Sequence, residues 1–199
     1  LITGTLLCLQ YNKEDFMKKG KRILAAFLAV LMVVAIMPTS WATKKVKAAT
    51  ETKVYTLNAN DLEAVAQGTK ADGDVVKAGT DNFFSIICSA KTKFDASKKS
   101  FSDGFEGTQR INFGEGTTTA KNAIRFTTEG TATVTVWWAC GDAGREVTIL
   151  DKDGKAVDTT SEGLAKNAMA ISTLTIPEAG TYYLGNTPKS NYIFKVAVT

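Results

Sequence analysis

The sequence predicts an all-β fold, an antiparallel β-sandwich of the jelly-roll kind, preceded by a helical signal peptide. From residue 53 onward, short runs of β-branched and aromatic residues recur at spacings of roughly 8–12 residues. Gly, Asn, Asp and Lys separate these runs, as is typical of turns. No segment repeats with a period of about 20–50 residues, which argues against a solenoid such as a parallel β-helix.

Three consecutive features indicate an N-terminal leader. Met17 begins a run rich in Lys and Arg, the stretch Ile23–Met37 contains no charge, and Ser40-Trp41-Ala42 matches a small-x-small cleavage site. The apolar stretch is shorter than the roughly 20 residues that span a bilayer as a helix, which favours a cleaved signal peptide over a retained anchor. We expect the mature protein to be secreted and extracellular, with no membrane segment after cleavage.

The sequence divides into four predicted segments. Cleavage is expected after Ala42, with Ala48 as the alternative site. Residues before Met17 are expected to lie upstream of the true start or to be disordered, because a signal peptide begins at its own Met. The segments are upstream residues 1–16, the signal peptide 17–42, a Lys/Ala/Thr-rich linker 43–52 and the β-sandwich module 53–199.

Charge in the mature chain is nearly balanced. The whole sequence has 24 Lys/Arg and 20 Asp/Glu residues, of which the first 42 residues hold 5 and 2. Residues 43–199 therefore carry 19 basic and 18 acidic side chains, a net charge of +1. Neutralising a nucleic-acid backbone requires a clear cationic excess, so no nucleic-acid partner is predicted.

Cys88 and Cys140 both belong to the mature chain. An exported protein permits a disulfide between them. Each also lies on an apolar strand face, where a free cysteine packs as a small hydrophobic residue. Both interpretations stay open, because the sequence does not show whether the two Cα atoms come within bonding distance.

Local patterns predict ten strands and a short helix. The helix is placed at 61–66 with Asn60 as its N-cap. The sequence Asp151–Gly154 predicts a tight hairpin turn, since a calcium loop would need a further acidic position and a distal Glu at fixed spacing. No cofactor is predicted, and the sequence does not show whether structural calcium binds. The strands are predicted near 53–58, 82–89, 108–114, 122–128, 131–140, 145–150, 155–159, 170–176, 181–185 and 190–198.

Side-chain alternation along each strand predicts which residues belong in the core. Tyr182, which follows Ala179-Gly180-Thr181, is expected to be buried and to form a tyrosine corner, in which the hydroxyl binds nearby backbone. The other large core residues predicted by alternation are Phe84, Phe126, Trp138, Tyr192 and Phe194.

The same alternation predicts a ligand-binding patch outside the core. Within 131–140 it leaves Trp137 among threonines on the outer face. Arg110, Asn112 and Arg125 also face outward, and they share one sheet face with Trp137 if their strands are neighbours. Lys121 and Arg145 are then expected near the rim of this patch.

A surface of this composition suits a sugar. An aromatic ring stacks on the apolar face of a pyranose, while amides and guanidinium groups hydrogen-bond hydroxyls. The planar guanidinium fork also matches a carboxylate in two bonds, which favours a uronic-acid polymer over a neutral one. The alternative is that these are ordinary solvated faces, with the tryptophan covered by a loop.

Catalysis is not predicted. The chain contains no histidine, which removes the common histidine-activated nucleophiles and histidine-ligated zinc sites. Most aspartates stand beside Gly, Asn or Lys in predicted turns, where a solvated carboxylate is usual. The sequence therefore indicates a non-catalytic protein.

Three blocks of the sequence are distinctive: 108–114 (TQRINFG), 124–128 (IRFTT) and 132–138 (ATVTVWW). With the closing strands at 179–185 and 192–196, they resemble the β-sandwich modules attached to bacterial secreted pectate lyases and pectinesterases. The resemblance implies an accessory domain that helps an appended catalytic domain stay on pectin, and it supports Arg110, Asn112, Arg125 and Trp137 as ligand contacts. It gives no support to a Cys88–Cys140 pair.

Three hypotheses follow for the function. The first is a monomeric carbohydrate-binding module for pectin or polygalacturonate, an acidic plant cell-wall polysaccharide. The second is a structural spacer or cell-surface adhesion domain without a glycan ligand. The third is a small lyase or esterase, which the missing catalytic groups disfavour.

Overall fold

The computed structural model describes residues 52–199. The predicted upstream residues, the signal peptide and all but the last residue of the predicted linker lie outside this part of the chain. Within the described part, no helix has the length and apolarity that crossing a membrane requires.

Residues 52–199 form twelve strands and two short 3₁₀ turns, at Ala59–Asp61 and Thr80–Asn82. The strands are β1 Tyr55–Asn58, β2 Val75–Ala78, β3 Phe84–Ile87, β4 Lys93–Ser100, β5 Glu106–Asn112, β6 Ala123–Thr128, β7 Ala132–Ala139, β8 Glu146–Leu150, β9 Ala156–Thr159, β10 Met169–Ile176, β11 Gly180–Thr187 and β12 Tyr192–Val198.

The strands pair into two antiparallel sheets. Sheet I has the order β10-β7-β12-β5-β4, and β1 pairs with the far end of β12. Sheet II has the order β2-β3-β6-β11-β8-β9. Apolar side chains from both sheets meet in one buried cluster between them. The predicted all-β antiparallel sandwich is confirmed.

Three of the large residues that alternation placed in the core between the sheets lie there. Phe84, Phe126 and Trp138 are buried, as predicted. The indole N–H of Trp138 donates to the Ser172 hydroxyl (2.8 Å), so the polar atom of this buried ring has a partner.

Two of the predicted local motifs are present. Tyr182 is buried, and its hydroxyl donates to the backbone carbonyl of Glu178 (3.0 Å), which makes the tyrosine corner. Burial raises the pKa of this phenol. The hairpin joins β8 to β9: Gly154 adopts φ +79°, and its N–H donates to the Asp151 carbonyl (3.1 Å).

The predicted helix at 61–66 is wrong. The 3₁₀ turn ends at Asp61, its N-cap is Asn58 rather than Asn60, and Leu62 is already extended. Val65 instead exchanges two backbone hydrogen bonds with Phe94 (3.1 and 3.0 Å), so this segment extends the edge of sheet I.

A bulge in β12 reverses the predicted inward direction of Tyr192 and Phe194, although Phe194 is buried. Between Ile193 and Lys195 the register against β7 shifts by one residue. Phe194 therefore turns to the outer face of sheet I, where Tyr192 also lies, and both pack in a second apolar cluster there.

The disulfide allowed by the sequence is not formed. Cys88 follows β3 in sheet II and Cys140 follows β7 in sheet I, and both thiols are free and buried. The sulfur of Cys140 faces backbone carbonyl oxygens of Asp142 and Leu164 rather than another sulfur. Burial raises the pKa of Cys88 to about 11, so this cysteine packs as an unreactive apolar group.

Replacing Tyr182 by Phe tests the tyrosine corner. We expect Tyr182→Phe to lower the free energy of unfolding by about 1 kcal/mol, because the Glu178 carbonyl loses the shorter of its two side-chain hydrogen bonds and keeps the one from the Thr128 hydroxyl (3.3 Å), while the ring still packs. Urea denaturation measures this change. The matched control is Tyr183→Phe, whose hydroxyl has no hydrogen-bond partner within residues 52–199; equal losses in the two variants would contradict the corner's role.

Candidate functional site

The predicted ligand-binding patch is divided between the two sheets. Arg110 and Asn112 lie on β5 and Trp137 on β7, both in sheet I, whereas Arg125 lies on β6 in sheet II. The connection 113–122 crosses from one sheet to the other, so β5 and β6 are consecutive in sequence but are not paired. The prediction that these four residues share one face is therefore wrong.

Arg110 is already occupied by neighbours in sheet I. Its guanidinium donates to both carboxylate oxygens of Asp95 (2.7 and 3.1 Å) and lies 3.9 Å above the Tyr192 ring. The hydrogen bonds to Asp95 raise the pKa of Arg110. Burial by itself would raise the pKa of Asp95, but hydrogen bonds from Arg110 and Lys93 outweigh it and lower that pKa. This cluster stabilises the sheet edge and leaves few donors for a ligand.

Asn112 has a structural role at the end of β5. Its side-chain oxygen accepts hydrogen bonds from the Ser190 hydroxyl (2.7 Å) and the Gly114 N–H (3.0 Å). These contacts join the connections that follow β5 and precede β12.

Trp137 faces outward, as alternation predicts, but a turn covers it. Only 8% of the residue is exposed, because Phe101 and Phe105 of the β4–β5 turn pack over this part of sheet I. The indole N–H donates to Asp103 of the same turn (2.8 Å), and the Lys195 ammonium lies 4.2 Å from the ring centre. The interpretation in which a loop covers the tryptophan is the correct one.

Lys121 and Arg145 join loops at one end of the sandwich. Lys121 pairs with Asp72 (3.0 Å) and Glu115 (3.6 Å). Arg145 donates to the backbone carbonyl of Ser190 (2.6 Å). Neither side chain lies beside Trp137 in a common patch.

Arg125 lies in an open cleft of about 480 Å³ on the outer face of sheet II. This volume is in the usual range of ligand sites. We call it the cationic cleft. It is lined by Lys77, Phe83, Ser85, Arg125, Phe126, Thr127, Lys152, Thr181 and Tyr183.

Strand pairing fixes the floor of the cationic cleft. Lys77 is opposite Ser85, Ser85 is opposite Arg125, and Arg125 is opposite Tyr183, so four neighbouring strands present these side chains in one row. The residues that flank each of them in sequence contact the core. Because alternate side chains point to opposite faces, burial of those neighbours forces the row outward.

Aromatic rings lie along the cleft. Tyr183 is half-buried on β11, in the centre of sheet II. Phe83 is also half-buried, and its ring stacks on that of Tyr55 with centroids 3.8 Å apart and planes at 12°. Tyr183, at its position on β11, can present a ring face to a sugar.

The charge of the cationic cleft is positive. None of its lining residues is acidic. Within residues 52–199, Arg125 makes no ion pair, and Lys77 donates to the Ser85 hydroxyl (2.9 Å). Lys152 does pair with the adjacent Asp153 (2.7 Å), but both side chains are exposed, and such pairs contribute little. The cleft can therefore accept an anion.

Of the predicted contacts, only Arg125 belongs to the cationic cleft. The outward direction of Tyr183 follows from the predicted burial of Tyr182, so the sequence contained a signal for it. Lys77 lies on β2, which was not predicted, and nothing in the sequence pairs it with Ser85. In the described part of the chain, no three Cys, Asp or Glu side chains group as metal ligands would.

No family model and no curated protein matches the chain. Among solved structures, a chain from work on the Ruminococcus flavefaciens cellulosome and its glycan recognition is 18% identical, with a TM-score of 0.42, over 74% of this chain and 94% of that one. The carbohydrate-binding module CBM6cm-2 of Cellvibrio mixtus lichenase 5A, in complex with cellotriose, is 9% identical, with a TM-score of 0.33, over 72% and 95%. Arabinose-bound MgGH51 α-L-arabinofuranosidase is 11% identical, with a TM-score of 0.34, over 72% and 26%.

Truncating Trp137 tests whether this residue is structural. We expect Trp137→Ala to lower the free energy of unfolding by about 3 kcal/mol, because it removes the centre of the cluster under the β4–β5 turn. Urea denaturation measures the loss. Thr135→Ala, on the same face of β7, is the control and should change stability by less than about 0.5 kcal/mol. A Trp137→Ala protein as stable as the parent would contradict the structural role.

Asp103 should make the stability of this cluster depend on pH. The backbone N–H of Phe105, and then the indole of Trp137, lower the pKa of Asp103. A lowered pKa in the folded state means that the carboxylate stabilises the protein above its unfolded-state pKa of about 3.9, and that this contribution is lost as pH falls through the folded-state pKa.

The comparison uses Asp103→Asn, which keeps an oxygen acceptor and removes the charge. Unfolding free energies of parent and variant are measured from pH 3 to pH 7. The parent's advantage should be constant above about pH 5 and should shrink towards pH 3. An advantage that is the same at both ends of the range would show that the charge has no such role.

Proposed function

We propose that the chain is a non-catalytic module that binds an acidic plant cell-wall polysaccharide, pectin or polygalacturonate, in the cationic cleft of sheet II. The observation that carries this proposal is the row from Lys77 to Tyr183, in which cations and an accessible ring share one face without an acidic lining residue.

Each side chain of the cleft suits one part of a uronate. Tyr183 offers a ring face to the apolar side of the pyranose. Arg125, beside it, offers a fork of N–H donors that matches a carboxylate or a pair of hydroxyls. Because no neighbouring carboxylate of the described chain engages Arg125, a ligand need not displace an internal partner.

The affinity should be modest. The cleft is open and shallow, so a bound chain keeps much of its surface in water. A few stacking and hydrogen-bond contacts must also offset the freedom that the ligand loses on binding. A weak module of this kind serves by keeping an attached enzyme near its polymer. We accordingly propose a secreted, monomeric accessory domain that works with a pectin-degrading catalytic domain.

Glycoside hydrolysis by paired carboxylates is not supported by the cleft. That reaction needs an acid and a base or nucleophile on either side of the bond, whereas the lining residues carry no carboxylate. A lyase or esterase activity remains the lowest of the three hypotheses, and it is checked by unsaturated-product absorbance and by methanol release.

Affinity electrophoresis tests the proposal. The parent protein should be retarded in gels that contain polygalacturonate, and less so or not at all in gels with arabinan or xylan. Arg125→Ala and Tyr183→Ala should each weaken binding about tenfold or more, because a charge-assisted hydrogen bond or a stacked ring is lost.

Arg110→Ala is the matched control, since it removes the same side chain from the opposite sheet. Retardation that Arg110→Ala abolishes and Arg125→Ala leaves intact would place the ligand on sheet I and contradict the assignment. No retardation of the parent in any gel would favour the spacer or adhesion function.

A further inference from the structure

We propose that the bound glycan runs across the strands of sheet II, with separate cation subsites at Arg125 and Lys77, so that a full ligand spans about three sugar units or more. This inference rests on the proposed function, because it concerns the direction in which a polymer binds in the cationic cleft and the residues that contact each sugar.

The cleft is short in the direction of the strands. At one side, Gly185 is the next outward position after Tyr183, and Thr117 of the connection 113–122 lies directly against it. The Thr117 hydroxyl accepts from the Asn186 N–H (2.8 Å), which holds the connection in place as a wall. At the other side the lining extends by one outward position along the strands, to Phe83, backed by Tyr55, and to the paired residues Thr127 and Thr181.

The cleft is long in the direction across the strands. The row passes from Lys77 through Ser85 and Arg125 to Tyr183 over four consecutive strands. Lys77 and Arg125 are two strands apart, which is about 10 Å between backbones at the usual strand spacing. Two cations at that separation suit carboxylates on different sugars of one chain better than a single carboxylate.

Lys77 is held towards the row. Its ammonium donates to the Ser85 hydroxyl (2.9 Å). Ser85 is only 3% exposed, which is consistent with the Lys77 side chain lying over the serine. A hydroxyl is a neutral partner, and an incoming carboxylate gives a stronger, charge-assisted bond. The side chain is therefore available to a ligand while being positioned beside Arg125.

The opposite end of the row has no cation on a paired strand. Beyond Tyr183 the next paired residue is Leu150, which is apolar and half-buried. Lys152 also lines the cleft, but it belongs to the exposed turn after β8, so strand pairing does not hold it in the row. We therefore assign the stacked sugar to Tyr183, the first carboxylate to Arg125 and the second to Lys77.

Calorimetric titration with oligogalacturonates, from the monomer to the hexamer, tests this order of subsites across the strands, from Tyr183 through Arg125 to Lys77. Affinity of the parent should rise until the oligomer reaches both cations and then level off. Lys77→Ala should weaken hexamer binding about tenfold and leave dimer binding within about twofold, whereas Arg125→Ala should weaken both. Lys98→Ala, an exposed lysine of sheet I, is the control and should match the parent.

The outcomes separate this inference from the function on which it rests. Hexamer binding that Lys77→Ala leaves unchanged, or an equal loss for dimer and hexamer, would overturn the cross-strand order. In either case, continued sensitivity of polygalacturonate binding to Arg125→Ala and Tyr183→Ala would still support the cationic cleft as the glycan site. Failure of the parent to bind any oligomer or polymer would overturn both proposals.

Discussion

Burial of one face of each sheet against the other is the constraint on which the rest of the structure depends. In sheet II, Ile124 and Phe126 enter the core, and so do Tyr182 and Leu184. The residues between them, Arg125 and Tyr183, must then point to the opposite face, where strand pairing sets them side by side. The same contacts that stabilise the sandwich thus place a cation beside an aromatic ring in the candidate site.

A partner on the neighbouring strand decides whether an outward arginine is structural or available. Arg110 and Arg125 are both half-buried strand residues followed directly by a buried apolar residue, Ile111 and Phe126 respectively. Arg110 faces Asp95 across the β4–β5 pairing and forms a bidentate ion pair with it. Arg125 faces Ser85 on one side and Tyr183 on the other, and neither neutralises its charge. A chain whose acidic and basic residues nearly balance in number therefore still carries a local positive surface.

The sequence predicts strands and faces well and sheet membership poorly, for a physical reason. Alternation reflects the burial of single side chains, and it correctly places Trp138 inside and Arg125 outside. Pairing depends on the path of the connections, and the stretch 113–122 is long enough either to turn back within one sheet or to cross to the other. The edge strands β2 and β4 were missed because their runs are short or rich in Lys and Ser. The sequence therefore predicts neither Asp95 on β4, the partner of Arg110, nor Lys77 on β2, the second cation of the cationic cleft.

Loops then decide which outward aromatic residue meets solvent. Trp137 and Tyr183 are both outward residues on central strands, and alternation treats them alike. The β4–β5 turn lays Phe101 and Phe105 beside Trp137 and gives its N–H an acceptor, so this ring joins a second small core. Over Tyr183 the connection 113–122 reaches only as far as Gly185, and the cleft stays open. The larger ring is thus used for stability, and the smaller one, beside an arginine without an acidic partner, is the one a sugar can reach.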